Sequence, residues 1–326
     1  MIDWQPGASP ENLKRRARLL SDIRNFFAER DILEVETPAL GRHAVTDVHL
    51  DSFSVDAGTA GDASTSNSLQ KYLQTSPEYA MKRLLAAGSG PIYQLGKAFR
   101  REATSRLHNP EFTLLEWYRP GYSWRQLMEE VAALVVTVLE LPGPDSIAQF
   151  SYAELFANHF NINPHTVDGT TLEELTRATV DLTATGLSAT DCLQLLMHHC
   201  IEPTLPDYCF VYDYPEAQAA LSVVEHGADG IPVARRFELY GAGMELANGY
   251  QELTDAQEQR RRFEHDQAQR RQRDGSPISI DERLLAALES GLPACAGVAL
   301  GVDRLAMLAL NASHINEVIA FTDENA

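Results

Sequence analysis

The stretch FRREATSRLHNPEFTLLEWY, residues 99–118, sets two arginines against a glutamate and follows them with a polar loop and an aromatic residue. Arg100 and Glu102 are two residues apart, so on a strand their side chains would project from one face. A guanidinium can bind phosphate through paired hydrogen bonds, and a carboxylate accepts hydrogen bonds from an exocyclic amine. Across the loop, Phe112 could cover a flat base. The stretch therefore fits an adenosine phosphate, and a structural ion pair on the surface of a sheet fits it as well.

The composition is typical of a globular protein without membrane spans. Hydrophobic residues make up 44% of the 326 residues, which suffice for one large domain or two average ones. No run approaches about 18 consecutive apolar residues. The first residues, MIDWQPGASPENLKRR, lack the apolar segment of a signal peptide. We therefore expect a cytoplasmic protein.

The net charge of −19 argues against a polyanionic partner. Proteins that neutralise many phosphates of tRNA or DNA usually carry a basic face, because counterion release supplies most of that affinity. One local exception is QEQRRRFEHDQAQRRQRD, residues 257–274, which carries six arginines. This stretch fits a solvated amphipathic helix and, alternatively, a basic surface that guides an acidic protein partner.

The cysteine pattern argues against a disulfide framework and against a zinc ribbon. No two of the four cysteines form C-x-x-C; they are Cys192, Cys200, Cys209 and Cys295. The stretch DCLQLLMHHC, residues 191–200, brings two cysteines near two histidines and raises a metal site as one interpretation. It is also typical of a buried helix, in which cysteine behaves as a small hydrophobe. We favour the buried helix.

The order of the predicted elements favours an α+β fold. A helix is predicted over residues 9–30, where Leu, Ile and Phe recur on one stripe after a Ser9 or Asn12 start. The strand ILEVETPAL, 32–40, follows and is interrupted by Pro38. Further predicted elements are strands at 72–76, 92–99, 209–215, 235–253 and 297–308, a helix from Pro77 to about Ala87, and a mostly helical insertion over about 125–200. A hairpin at Gly241-Ala242-Gly243 then predicts an antiparallel β-sheet flanked by helices.

Two further segments carry groups suited to a nucleotide and a cation. GVALGVDR, residues 297–304, places small residues before Arg304, so a ligand could approach the backbone while the guanidinium reaches a distal phosphate. FELYGAGMELANGYQEL, residues 237–253, spaces Glu238, Glu245 and Glu252 seven apart on two paired strands. Carboxylates that converge in one cleft repel each other unless cations lie among them. Mg²⁺ on ATP phosphates and a cationic substrate would meet that need.

Four segments together resemble the class II lysyl-tRNA synthetases. VETPAL, the opening stretch and GVALGVDRL are similar to motifs 1, 2 and 3 of class II aminoacyl-tRNA synthetases, and MELANGYQELTD is similar to their lysine-binding strand. The resemblance covers about residues 10–322 and implies a class II aminoacyl-tRNA synthetase catalytic core. It also implies ATP and Mg²⁺ as cofactors, and a homodimer with motif 1 at its interface.

The chain departs from the lysyl-tRNA synthetases in two ways. It begins directly at the helix before motif 1, so we expect a single catalytic domain over 1–326 with no anticodon-binding domain. Motif 3 has Ala299 where those enzymes have glycine; one methyl group in a pocket is worth about 1–3 kcal/mol of specificity, although ordinary drift in a strand is the alternative. Both features resemble the elongation factor P lysine ligases, truncated paralogues that activate (R)-β-lysine and transfer it to a lysine of elongation factor P.

The resemblance also implies roles for individual residues. Arg100 would bind the α-phosphate and the substrate carboxylate, and Arg304 the γ-phosphate, which makes both catalytic. The implied ATP site comprises Arg100, Arg101, Glu102, Asn109, Phe112, Glu245, Leu246, Gly301 and Arg304. The implied substrate site comprises Ser76, Pro77, Glu78, Glu116, Tyr118, Asn248, Glu252 and Ala299, with Glu252 on the distal ammonium. Glu238 and Glu245 would hold Mg²⁺.

These implications predict an ATP-dependent, AMP-forming ligase that acts on a protein lysine. One alternative is a truncated synthetase that charges tRNA or another acceptor with lysine; the expected lack of an anticodon domain and the acidic charge speak against it. The other is a catalytically silent paralogue that binds an amino acid. The presence of Arg100, Glu102 and Arg304 speaks against that alternative.

Overall fold

The structure, a computed structural model, describes residues 4–56, 58, 70–181, 186–227, 229–273 and 278–326. The chain divides into two units. Unit 1 contains Met1–Gly121, Thr254–Cys295 and Ala299–Ala326, and unit 2 contains Tyr122–Leu253 and Ala296–Val298. The single domain predicted over residues 1–326 stays a prediction.

Unit 1 combines helices with two small sheets. Its helices, numbered along the whole chain, are α1 (Pro10–Ala28), α2 (Glu78–Ala86), α7 (Ala256–Arg273), α8 (Glu282–Gly291) and α9 (Val302–Leu310). Its strands are β1 (Leu33–Glu34), β2 (Leu40–Gly41), β3 (Ser54–Asp56), β4 (Gln70–Leu73), β5 (Ile92–Phe99), β6 (Glu111–Pro120) and the last residues of β12 (Cys295–Gly301). One sheet has the order β1-β5-β6-β12 and the other β2-β4-β3.

Helix α1 confirms the helix predicted over residues 9–30. The Ser9 hydroxyl accepts a hydrogen bond from the Asn12 amide at 3.1 Å, and Pro10 occupies the first helical position, where a missing N–H costs nothing. The apolar stripe is buried, and the Phe27 ring stacks on Tyr93 of β5 with centroids 4.3 Å apart. Local signals and packing therefore specify the same helix.

The strand predicted over 32–40 is mostly wrong. Only Leu33–Glu34 and Leu40–Gly41 are strand, in two different sheets. Pro38 has no N–H for a ladder and restricts the residue before it. The Thr37 amide donates instead to the side chain of Gln94 at 2.8 Å, so a side-chain bond replaces the ladder here.

The β5–β6 hairpin is the main antiparallel pair of unit 1. Its register runs from Ile92 opposite Tyr118 to Phe99 opposite Glu111, and β5 matches the predicted strand at 92–99. The strand predicted over 297–308 is wrong beyond Gly301, because α9 begins at Val302. A short apolar run does not distinguish a strand from a buried helix by its periodicity.

Helix α7 carries the basic stretch and confirms that it is helical. Arg261 and Arg262 both pair with Glu258, at 2.5 and 2.9 Å. Arg270 is 2% exposed and pairs with Asp51 at 3.2 Å. Carboxylates of unit 1 thus neutralise part of the positive charge, and the proposed guidance of an acidic partner stays a prediction.

Unit 2 contains most of the remaining sheet and a group of helices. Its helices are α3 (Trp124–Leu139), α4 (Tyr152–Phe160), α5 (Gly169–Thr179) and α6 (Ala189–Leu196), and its strands are β7 (Ala148–Ser151), β8 (Tyr208–Pro215), β9 (Val224–His226), β10 (Pro232–Gly241), β11 (Met244–Gln251) and Ala296–Val298 of β12. The strand order is β12-β11-β10-β8-β7, with β9 on β10. β7 and β8 are parallel, whereas β8, β9 and β11 are antiparallel to β10.

The β10–β11 hairpin confirms the predicted turn. Ala242 and Gly243 connect the strands, and both have positive φ values, 47° and 73°. A two-residue turn with positive φ at both positions matches the twist of an antiparallel pair. The hairpin faces Glu238 of β10 with Asn248 of β11 in the pairing register.

The predicted helical insertion over about 125–200 contains α3 to α6 and also β7, which the sequence analysis missed. Four residues give too little period-2 pattern to identify a strand. Cys192 of α6 and Cys209 of β8 are fully buried in the core of unit 2, which confirms the buried-helix interpretation. All four cysteines are free thiols. Within the described residues, no group of three or more His, Cys, Asp or Glu side chains could hold a metal ion.

No helix in the described part of the chain has the length and apolar character that crossing a membrane requires. The combination of helices with largely antiparallel strands in both units confirms the predicted α+β class.

Candidate active site

The arginine of the opening stretch lies in the loop between β5 and β6, and the aromatic ring lies at the start of β6. The Arg100 amide donates to the Pro110 carbonyl at 2.9 Å, which closes this loop, residues 100–110. The guanidinium carbon of Arg100 lies 5.1 Å from the centre of the Phe112 ring. The Nε–H of Arg100 is buried and has no hydrogen-bond partner in the structure. Buried donors in native proteins are nearly always satisfied, which is compatible with the anion contact predicted for Arg100.

A histidine without a predicted role contacts Arg304. The Arg304 guanidinium, which has only donors, bonds to Nε2 of His108 at 2.8 Å. Nδ1 of the same ring lies 2.8 Å from the Ser105 hydroxyl. Burial, followed by the charge of Arg304, lowers the pKa of His108, which keeps the ring a neutral acceptor. A histidine in a loop that is predicted to bind phosphate was the available signal.

Asp303 fixes the start of α9 next to Arg304. Its Oδ1 accepts a hydrogen bond from Arg16 of α1 at 2.5 Å, and its Oδ2 accepts one from the Thr113 amide of β6 at 2.8 Å. Arg16 also donates to the Thr113 hydroxyl at 2.9 Å. We call these three residues the Asp303 junction. It ties α1, β6 and α9 together and so positions Arg304 in unit 1.

Two other predicted ATP residues are held by protein groups. Nδ2 of Asn109 donates to the Glu111 carbonyl at 2.6 Å, and its Oδ1 accepts from the Asp323 amide at 2.9 Å. Each end of this side chain makes one of these bonds, and its NH₂ group has a second donor. The Arg101 amide donates to the Asp51 carbonyl at 2.8 Å, while its exposed guanidinium lies 3.5 Å from the Asp51 carboxylate.

A group of polar side chains in unit 1, here called the acidic cluster, consists of Ser76, Glu78, Lys82, Glu116 and Tyr118. The hydroxyls of Ser76 and Tyr118 donate to the two oxygens of Glu116 at 2.5 and 3.2 Å. Lys82, one turn along α2 from Glu78, donates to its carboxylate at 2.6 Å. Lys82 is 1% exposed, and the sequence analysis gave it no role. The i, i+4 spacing of Glu78 and Lys82 was the signal that could have found it.

The surroundings of Glu116 disfavour its negative charge. Burial, followed by the neighbouring charge of Glu78, raises the pKa of Glu116 to about 8, although the bonds from Ser76 and Tyr118 oppose the shift. An ammonium group beside the carboxylate would favour the charged form again. The acidic cluster is therefore suited to a cationic ligand.

In unit 2, Glu238 lies in a second group, the Glu238 cluster, with Tyr214, Arg236, Tyr240 and Asn248. Its Oε2 accepts hydrogen bonds from the hydroxyls of Tyr214 at 2.6 Å and Tyr240 at 2.7 Å. Its Oε1 accepts from Arg236 and, at 3.2 Å, from Nδ2 of Asn248. Burial alone would lower the pKa of Arg236. The negative charge of Glu238 has the opposite effect and, with smaller contributions from other neighbours, leaves the Arg236 pKa raised.

This setting does not fit the predicted role of Glu238 as a Mg²⁺ ligand. Mg²⁺ binds oxygen atoms in a demanding octahedral geometry, whereas both oxygens of Glu238 are occupied by an arginine, two hydroxyls and an amide. Glu245, the second predicted ligand, is exposed on β11. The donor set of the Glu238 cluster suits a structural ion pair, and no step of the reaction is assigned to a metal there.

The whole chain matches one known family of enzymes. The family model of the class II tRNA synthetases (D, K and N) covers residues 1–325. The chain belongs to this family. An elongation factor P–(R)-β-lysine ligase from Proteus mirabilis (strain HI4320) is 49% identical over 98% of this chain and 98% of its own length. Proteins of the same name from Edwardsiella ictaluri (strain 93-146) and Pectobacterium carotovorum subsp. carotovorum (strain PC1) are each 48% identical, over 100% and 99% of this chain and 99% and 98% of their own lengths.

Membership of the class II tRNA synthetase family confirms the fold predicted from motifs 1 to 3, an α+β catalytic core with antiparallel sheet and flanking helices. It also confirms an ATP-dependent ligase, because these synthetases and the named relatives are ligases of that kind.

The structure brings several predicted residues together within each unit. In unit 1, Arg100 lies at Phe112, and Ser76 and Tyr118 lie at Glu116. In unit 2, Asn248 lies at Glu238. The remaining residues have these places: Glu102 in the 100–110 loop, Pro77 before α2, Leu246 buried on β11, Glu252 buried just after β11, and Ala299 and Gly301 on β12. Their ligand roles stay predictions.

Proposed function

We propose that the chain activates (R)-β-lysine with ATP and transfers it to a lysine side chain of elongation factor P. Relatives with that name and 47–49% identity over almost the full chain support the substrate and the acceptor. The observation in the structure that carries the proposal is the buried Glu116 carboxyl, bonded to Ser76 and Tyr118 in the acidic cluster that also contains Glu78; burial, followed by the charge of Glu78, raises the Glu116 pKa to about 8. An ammonium-bearing substrate would relieve this arrangement.

In the first step the substrate carboxylate attacks the α-phosphorus of ATP, the bond to pyrophosphate breaks, and an acyl adenylate forms. This chemistry needs positioning and charge stabilisation rather than a covalent nucleophile. Arg100 would bind the α-phosphate and the attacking carboxylate through its unsatisfied Nε–H and its fork of donors. Phe112, beside Arg100, would cover the adenine, and Glu102 would accept from its amine.

Arg304 would bind the γ-phosphate. In the structure its guanidinium donates to the neutral His108 ring. A phosphate is a stronger, charge-assisted acceptor than a neutral imidazole, so the nucleotide would take over this bond. The Asp303 junction holds the start of α9 while that exchange occurs.

ATP would bind as its Mg²⁺ complex, and the family resemblance assigns the exposed carboxylate of Glu245 to the ion. The chemistry that Mg²⁺ supplies when bound is neutralisation of phosphate charge. Glu238 has no part in this proposal, because its oxygens are committed to the Glu238 cluster.

In the second step the amine of an acceptor lysine attacks the carbonyl of the adenylate, and AMP leaves. A lysine ammonium, with an ordinary pKa near 10.4, must lose a proton before this attack. We propose that this step takes place in the cytoplasm, where a translation factor works, and that the enzyme is a homodimer. Multi-angle light scattering of the purified chain tests the dimer.

The decisive test is ATP–pyrophosphate exchange with (R)-β-lysine, (S)-β-lysine and α-lysine at equal concentration, followed by mass spectrometry of elongation factor P. We expect the fastest exchange with (R)-β-lysine and the mass gain of one lysyl group on the factor. Preference for α-lysine together with charging of tRNA would favour the truncated synthetase instead. Absence of exchange with every amino acid would favour the silent paralogue.

A further inference from the structure

The 313–323 segment, which follows α9, is anchored within unit 1. The amide and the hydroxyl of Ser313 both donate to Oε1 of Glu317, at 3.0 and 2.9 Å. Nδ2 of Asn12 in α1 donates to the Glu317 carbonyl at 2.9 Å. Val318 is fully buried. Hydrogen bonds within the segment, a bond to α1 and apolar burial therefore fix the course of this segment.

Hydrogen bonds connect this segment to the 100–110 loop at two places. Near the centre of the loop, the Ile315 amide donates to the Arg106 carbonyl at 2.9 Å, and the Arg106 guanidinium donates to a carbonyl of the segment at 3.1 Å. Near the end of the loop, the Asp323 amide donates to Oδ1 of Asn109 at 2.9 Å. The donors at Ile315 and Asp323 are main-chain groups, so the path of the segment determines where they lie.

The Asp323 amide determines which way the side chain of Asn109 faces. Oδ1 of Asn109 meets a donor, the N–H of Asp323, and Nδ2 meets an acceptor, the Glu111 carbonyl at 2.6 Å. Reversing the side-chain amide would place a donor against a donor and an acceptor against an acceptor. Asn109 is 8% exposed, and buried polar groups are nearly always satisfied, so the reversed form is disfavoured. The NH₂ group of Asn109 therefore keeps one orientation.

We propose that the 313–323 segment holds the 100–110 loop in the conformation that binds ATP, with the main-chain N–H of Asp323 as the positioning group for Asn109. This inference rests on the proposed function, in which the loop binds the nucleotide. A loop that already has its bound conformation avoids the entropy cost of ordering when the ligand binds, so anchoring the loop raises affinity. The acidic cluster lies outside the loop, and its affinity for the amino acid should not depend on the segment.

The position of Asp323 in a turn allows a test that removes a single main-chain donor. The Asn325 amide donates to the Thr322 carbonyl at 3.1 Å, so Asp323 is the second residue of this turn, and its φ is not positive. Proline is favoured at that position of type I and type II turns and has no N–H. Asp323→Pro therefore deletes the donor and keeps the turn. Asp323→Asn is the matched control, because it loses the same charge and keeps the N–H.

ATP–pyrophosphate exchange with the full chain gives separate KM values for ATP and for (R)-β-lysine. In Asp323→Pro we expect the KM for ATP to rise roughly three- to tenfold, as for one lost hydrogen bond, while the KM for (R)-β-lysine changes less than about twofold. In Asp323→Asn both values should stay within about twofold of wild type, as is usual for an exposed site. Equal rises of both constants in Asp323→Pro, or a rise in neither, would overturn the inference.

A double-mutant cycle tests whether Asp323 acts through Asn109. In Asn109→Ala the acceptor of the hydrogen bond is absent, so adding Asp323→Pro should change the KM for ATP less than about twofold further. An undiminished effect of the proline in that background would mean that it acts by another route, and would overturn the positioning role of Asp323.

Melting curves establish which variants fold. If Asp323→Pro does not fold, Asn325→Ala replaces it in the cycle, because Oδ1 of Asn325 accepts hydrogen bonds from the amide and the hydroxyl of Thr322 and so shapes the turn. The KM for ATP should then rise only where Asn109 is present, and an unchanged KM would overturn the inference. If the wild-type chain shows no exchange with (R)-β-lysine, the proposed function and this inference fall together. If wild-type exchange is normal and Asp323→Pro matches Asp323→Asn, only this inference falls.

Discussion

Binding of (R)-β-lysine should release a proton from Glu116. In the ligand-free chain, burial followed by the charge of Glu78 raises the pKa of Glu116 to about 8. At pH 7 the carboxyl is then about nine-tenths protonated. An ammonium group at the acidic cluster favours the carboxylate and lowers that pKa. If the pKa falls to about 6 in the complex, about 0.8 protons leave per ligand bound at pH 7.

Isothermal titration calorimetry in two buffers of different ionisation enthalpy measures this proton release directly. The observed enthalpy should depend on the buffer for wild type and lose most of that dependence in Glu116→Gln, which cannot titrate. Glu111→Gln is a matched control, because Glu111 is an exposed glutamate that pairs with Lys97 at the surface; its proton release should equal that of wild type. Wild-type binding without proton release would refute the reasoning about Glu116.

Three further predictions concern stability in chemical denaturation. The pKa of Glu116 is raised to about 8 in the folded chain from an ordinary 4.5, so the stability that the protonated carboxyl contributes is complete below about pH 4.5 and is lost as the pH rises through about 8. The free energy of unfolding of Glu116→Gln should therefore exceed that of wild type by up to roughly 3 kcal/mol at pH 7 and by about nothing at pH 4. A variant as stable as wild type at both pH values would contradict the raised pKa. Lys82→Met leaves the Glu78 carboxylate without its buried ammonium partner and should lower the free energy of unfolding by about 3–5 kcal/mol. Lys82→Arg, which keeps a positive charge, should lower it less. A loss under about 1 kcal/mol in Lys82→Met would show that the pair contributes little to stability. Phe27→Ala removes a fully buried ring stacked on Tyr93 and should lower the free energy of unfolding by about 3–5 kcal/mol. A change within about 0.5 kcal/mol, typical of a surface site, would disprove this prediction.

Elements with local signals could be predicted from the sequence, and elements that depend on distant partners could not. Helix α1 has its cap at Ser9 and its stripe within one continuous segment, and the β10–β11 turn is encoded by adjacent small residues. The strand predicted over 32–40 failed because the amide of Thr37 bonds to Gln94, a partner 57 residues away that no local pattern reveals. Pro38 indicated that the strand is interrupted, but not which group the Thr37 amide donates to instead.

The candidate site also has features that the sequence could predict and features that depend on distant partners. Spacing pointed to Arg100 and the family resemblance to Glu116; the structure places Arg100 beside Phe112 and Glu116 in the acidic cluster. Lys82 was missed despite its i, i+4 spacing from Glu78, because a lysine in a helix is usually exposed. No local pattern reveals that Glu238 accepts hydrogen bonds from four residues on three strands. A glutamate in a sequence motif can bind a metal or pair with an arginine, and only the fold shows which partner it has.

The Asp303 junction can form only late in the synthesis of the chain, because its residues are far apart in sequence. Arg16 and Asp303 are 287 residues apart in the chain, and Thr113 and Asp303 are 190 apart. At a synthesis rate of about 5–20 residues per second, roughly 15–60 s pass between the synthesis of Arg16 and that of the Asp303 carboxylate to which it donates. From the synthesis of Thr113 to that of Asp303, a span of 190 residues, the nascent chain carries the 100–110 loop and the start of β6 without the group that anchors them to α9. A chain released early would therefore retain motif 2 but have no anchored Arg304, so nucleotide binding would appear only once synthesis had passed α9.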